Sequence, residues 1–229
     1  RGRRAVSGLG LPNVSFEHLD ISDSSSVASF VAVVEQKYGG RIDALINNAA
    51  IAFKNSDPTP FAQQARPTVA INYFGTLDVT HSLLHFVRAA RGHVVTVGSQ
   101  AGHLKVVGQH GPKFSDPSLS VEELSEMMRH FVTAAEAGDH QAKGWTNSCY
   151  GTSKAGVIAW TRIMARREAA AGTGVKFNVC CPGYCDTDMT SHRGTQSAAE
   201  GASTPCWLAL GGAGDKTGGF FLAKREIQW

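Results

Sequence analysis

The sequence has no apolar run approaching the ~20 residues of a membrane span, and its opening Arg1-Gly2-Arg3-Arg4 is not a signal-peptide pattern. A membrane partner is therefore not expected. Lys and Arg number 22 against 19 Asp and Glu, with no dense basic stripe, which argues against nucleic acid. Cysteine is sparse. Cys149, Cys180, Cys181, Cys185 and Cys206 are odd in number and none has C-x-x-C spacing. That pattern excludes a paired-cysteine zinc site and fits a reduced, cytoplasmic protein. The nine histidines lack metal-ligand spacing, so no metal is expected.

What is present is an alternation. A chain of 229 residues suits one α/β domain over 1–229 with a sizeable core. Residues 14–19 alternate in polarity and read as a strand ending at Asp20. Ser22 or Asp23 then caps a helix carrying Val27, Phe30, Val31 and Val34 on one face, closed by Gly39-Gly40. Further strands are expected over 42–46, 93–97, 175–181 and 218–222. Between them fall a long helix from about Pro67, a helix containing Tyr150, and a helix opened by the capping box of Ser197 and Glu200. Residues 100–147 carry no strand signal. They read as a helical insertion with a capping box at Ser120 and Glu123 and an apolar face of Leu124, Met127, Met128 and Phe131. Strands alternating with helices imply βαβ units and a doubly wound parallel sheet of the Rossmann type. In such sheets ligands bind outside the carboxyl ends of the strands. The breaks at Asp20, Asn47-Asn48, Ser99 and Pro182-Gly183 fall there.

One motif lies in a position to use that crevice. Tyr150 and Lys154 are four apart at the start of a helix and project from one face. A phenol is a poor acid near neutrality, and a neighbouring ammonium favours the phenolate. The pair can act as a general acid. Taken alone, these residues fit a half-buried Tyr beside a surface Lys better.

The ordered set is more specific. Leu19-Asp20-Ile21, Asn47-Asn48-Ala49, Asn72 in Asn-Tyr-Phe-Gly, Ser99, Tyr150 with Lys154, and Pro182-Gly183 together resemble a short-chain dehydrogenase/reductase. Cys180-Cys181-Pro182-Gly183, Thr187-Asp188-Met189, Ala52-Phe53-Lys54 and Asp57-Pro58-Thr59-Pro60-Phe61 are similar to the monomeric carbonyl reductase branch. The resemblance implies reduction of a carbonyl by a nicotinamide cofactor, NADPH rather than NADH. It assigns the proton to Tyr150, the carbonyl oxygen to Ser99, pKa tuning and a ribose contact to Lys154, and a relay water to Asn72. Asp20 and Ile21 would meet the adenine, Asn47 or Asn48 the ribose, and Cys185, Asp186 and Thr187 the carboxamide. Arg1 matches a position that pairs with the 2′-phosphate in NADPH-using relatives. Phe53, Lys54 and Cys181 match a glutathione-binding patch, and Tyr184 and Met189 could line the carbonyl pocket. The long insertion implies a monomer.

The resemblance also identifies what is missing. No G-x-x-x-G-x-G turn follows any strand, although such a turn puts backbone N–H groups on a pyrophosphate. The sheet is thus expected to lack its first β-α-β unit, leaving 14–19 without a partner and 42–46 with an open edge. The chain, which begins with Arg, is read as N-terminally incomplete. Ala50 stands where glycine is usual and would be strained if the turn required positive φ. Two functions stay open besides carbonyl reduction: a catalytically dead relative serving as a binding or structural module, and a dehydrogenase of another alcohol.

Overall fold

A computed structural model describes residues 2–54 and 56–229. Arg1 lies outside the described residues. The chain forms helices α1 (Gly2–Leu9) and α2 (Ser24–Tyr38), strand β1 (Ala44–Asn47), helices α3 (Phe61–Val69) and α4 (Thr76–Ala90), and strand β2 (His93–Val97). A π-helical turn, Ala70–Gly75, joins α3 to α4. The insertion holds α5 (Gly111–Phe114) and α6 (Val121–Ala137). Then come α7 (Cys149–Ala170), β3 (Lys176–Cys181), α8 (Ala198–Ala209), β4 (Phe220–Leu222) and β5 (Arg225–Ile227).

The strands form one sheet in the order β1-β2-β3-β4-β5, parallel except for the final β4–β5 pair. Ala44 is opposite His93, and His93 opposite Lys176, so the carboxyl ends of the first three strands sit together. Period-2 alternation decides which face each side chain enters. Val94 and Phe177 pack with α7 and the insertion, while Val95, Val97 and Cys180 pack with Leu208 of α8. Helices therefore cover both faces, as a parallel sheet requires.

Local chemistry explains the element ends. Asp23 accepts from Ser25 N at the start of α2, and Gly39 closes it in the left-handed region. The capping boxes of Ser120 with Glu123 and Ser197 with Glu200 are both formed. α7 is apolar or small around nearly its whole circumference and is correspondingly buried among α3, α6 and the sheet.

Three expectations are corrected. Residues 14–19 are not a strand; they hydrogen-bond to no strand and the sheet order does not include them. An alternating pattern forms a strand only when a partner accepts its ladder bonds, and among the described residues the outer edge of β1 is unpaired. The helix expected from Pro67 starts at Phe61, and Pro67 lies inside it. Last, β4 pairs with an antiparallel strand the sequence did not suggest. Ala50 carries no positive φ, so its turn holds no strain of that kind.

Candidate active site

Ser148 caps α7 by accepting from Gly151 N, which sets Tyr150 in the first turn, at the positive end of the helix dipole. Ser99 follows β2 and caps the 3-10 turn Gln100–Gly102 by accepting from Ala101 N. Two glycines bring these segments together. A Cβ at Gly102 would lie 2.7 Å from the Lys154 carbonyl carbon, and one at Gly151 would lie 2.8 Å from Ala101 O. Only a bare backbone lets the 3-10 turn rest on α7. The Ser99 hydroxyl consequently sits close enough to the Tyr150 phenol to favour its phenolate form.

Lys154 is 4% exposed. Its Nζ donates to Val97 O at 2.7 Å and lies 5.7 Å from the Tyr150 ring centroid. Burial pulls its pKa down to about 8, opposed by the nearby thiols of Cys180 and Cys181. Tyr150 is itself shifted upward by burial, with the nearby Ser99 hydroxyl acting the other way. Desolvation of the phenolate is the larger effect on the phenol.

Asn72 lies in the π-helical turn and is 2% exposed. Its Oδ1 accepts from Ile51 N at 2.8 Å, and its Nδ2 donates to Ile51 O and to Ser153 Oγ. Ser153 in turn donates to Tyr150 O. Asn72 thus ties the loop after β1 to the first turn of α7. Ser153 is a member of this chain of contacts that the sequence reading passed over, although it sits inside the Tyr-x-x-x-Lys motif.

The other expected residues divide. Asp20 accepts from Ser22 N and Oγ in a tight turn before α2, which lowers its pKa. The Ile21 carbonyl lies against Gly75, one turn from Asn72. Asn47 donates to Thr80 Oγ1, so its amide braces β1 on α4, while Asn48 is exposed. Cys185 Sγ turns back towards Pro182 O and the backbone of Gly201 instead of into the crevice. Asp186 is exposed and Thr187 half-buried on the loop beyond β3. Cys181 is buried behind Tyr150 and Lys154, its Sγ accepting from Gly183 N at 3.4 Å. Tyr184 and Met189 are exposed, by 51% and 42%. Phe53 is half-buried and Lys54 exposed on the loop after β1, and no hydrogen bond or ion pair joins either to Cys181.

Comparison with known proteins identifies the family. The model of the short chain dehydrogenase family matches residues 5–111 and 132–198. The chain is 40% identical to carbonyl reductase (NADPH) 1 of Homo sapiens over 239 aligned positions, covering 100% of this chain and 85% of that protein. It superposes on the structure of salutaridine reductase from Papaver somniferum with a TM-score of 0.86 at 24% identity, over 96% of this chain and 87% of that one. An NADPH-bound carbonyl reductase from chicken fatty liver gives a TM-score of 0.66 at 17% identity, over 99% and 82%. No helix among the described residues is long and apolar enough to cross a membrane.

Proposed function

The chain belongs to the short-chain dehydrogenase family, and from that premise we propose that it reduces a ketone, aldehyde or quinone to the alcohol with NADPH, Tyr150 donating the proton. The observation that carries this reading is the corner in which Ser99 and Tyr150 meet beside a desolvated Lys154 whose Nζ lies 5.7 Å from the Tyr150 ring centroid.

The donor set suits the nicotinamide ribose. Among the described residues the buried Lys154 ammonium has no carboxylate partner, and one of its three N–H groups is used, on Val97 O. The other two are available to ribose hydroxyls. Asp186 and Thr187 would hold the carboxamide, Asn48 the ribose, and Asp20 with Ile21 the adenine. When bound, the reduced nicotinamide supplies the hydride.

The chain's own residues handle the oxygen. Charge grows on the carbonyl oxygen as its carbon is reduced. Ser99 Oγ stabilises that charge by donating a hydrogen bond. Tyr150 transfers its phenolic proton, and the resulting phenolate is favoured by the Lys154 charge and by the α7 dipole. Burial that raises the Tyr150 pKa keeps the phenol protonated, the form a reductase needs. Asn72 holds Ile51 and Ser153, leaving one Oδ1 lone pair for the relay water. A monomer is supported by α6, whose Leu124, Met128 and Phe131 cover the flank shared by α3 and α7.

The alternative reading is a relative that does not turn over and serves as a binding or structural module. Nicotinamide fluorescence on titration, followed by NADPH consumption with a quinone or a diketone, separates the two. Binding with turnover is expected; neither binding nor turnover removes the enzyme reading.

A further inference from the structure

Residues 183–197 leave the carboxyl end of β3, pass through the 3-10 turn Asp188–Thr190 and return to open α8. The two limbs of this loop are joined by backbone. Thr195 N and Gln196 N both donate to Tyr184 O, and Asp186 N donates to Gln196 O at 2.7 Å. Thr190 Oγ1 adds a bond to Cys185 O at 2.6 Å. Beyond these bonds the tip takes an unusual course. Ser191 and His192 have φ of 54° and 58°, two successive residues with a Cβ in the left-handed region.

That course turns the His192 imidazole back across the loop. Its Nδ1 lies 2.7 Å from Asp186 Oδ1 and its Nε2 lies 3.2 Å from Asp188 Oδ1. Carboxylates only accept, so both ring nitrogens donate together only in the imidazolium.

We propose that His192 is a positioning residue for NADPH, its imidazolium bridging Asp186 and Asp188 to hold the 183–197 loop in the shape that receives the nicotinamide end. The bridge also offsets carboxylate charge that would repel a phosphate-bearing cofactor. This rests on the functional reading that sets Asp186 and Thr187 beside the nicotinamide.

The two carboxylates raise the His192 pKa, the hydrogen bond to Asp186 most strongly. The bridge is therefore complete below the usual histidine value and is lost as pH rises through the raised one. The other charged groups nearby are Arg193, next in the chain, and Glu200 at the start of α8, whose carboxylate is engaged by Ser197.

The test compares wild type with His192→Gln, which keeps polarity but cannot donate from two ring positions. Trypsin cleavage after Arg193 at fixed pH, without cofactor, should be several-fold faster in the variant. The wild-type Kd for NADPH, read by nicotinamide fluorescence, should weaken by about 3–10-fold from pH 6 to pH 9. The variant should start at the weak value and show a shallower slope, the remainder being the loss of charge at Lys154, with kcat at saturating NADPH within twofold. A variant with wild-type cleavage and a wild-type Kd profile overturns the proposal while leaving the functional reading in place. A wild-type chain that binds no NADPH at any pH overturns both.

Discussion

Lys154 and Asp186 both serve strand ends of one sheet, yet their surroundings are opposites. Lys154 donates to the last residue of β2 from a site that is 4% exposed, and its neighbours are fixed by helix caps and close backbone contacts. Asp186 follows β3 on an exposed loop held by a few backbone bonds and a histidine. Proton chemistry needs charges whose energies are set in advance, and burial does that. Cofactor reception needs a surface that can open, and such segments come from the weakly packed parts of a fold.

Changes to the buried corner should have the largest effects. Lys154→Met should lower kcat by about 10²–10³-fold and also stabilise the fold. Its lowered pKa means that folding disfavours the ammonium, so wild-type stability should rise with pH from about 8 towards the ordinary lysine value. Chemical denaturation across that range should show the rise in wild type and not in the variant. At neutral pH the variant should gain roughly 2 kcal/mol, the shift of a buried lysine less the lost bond to Val97 O. In wild-type enzyme, kcat/KM for NADPH should fall as pH passes about 8, where Lys154 of the free chain loses its charge.

Asn72→Ala comes next. It leaves Ile51 N, Ile51 O and Ser153 without their partner, which should cost about 1–3 kcal/mol in a denaturation midpoint series and lower kcat through the loosened first turn of α7. Tyr184→Ala on the exposed loop should change stability by no more than about 0.5 kcal/mol. Its effect should appear as a several-fold rise in KM for the carbonyl. A stability loss as large as that of Asn72→Ala would erase the contrast between the two regions.

Much of this was legible in the sequence wherever the signal was local. The Ser120/Glu123 and Ser197/Glu200 boxes, the Asp23 cap and the Gly39 stop depend on residues a few positions apart, and all formed. β2 begins and ends where its apolar run does. The segment 14–19 failed because strand pairing depends on residues elsewhere in the chain. β5 was hidden because its hairpin turn uses Ala223 and Lys224 at φ of 48° and 62°, where Asn-Gly would have announced it. At the site, the motif residues could be named from spacing and resemblance. The downward shift of Lys154, the turning of Asn47 onto Thr80 and the His192 bridge follow from burial and three-dimensional approach, which no spacing records.

The most direct test is single-turnover reduction of a quinone by Tyr150→Phe preloaded with NADPH. The phenyl ring keeps the packing of the first turn of α7 and removes only the hydroxyl. The account predicts an NADPH Kd within about twofold of wild type and a reduction rate lower by about 10²–10⁴-fold. A variant that binds NADPH and reduces the quinone at the wild-type rate would contradict Tyr150 as the proton donor.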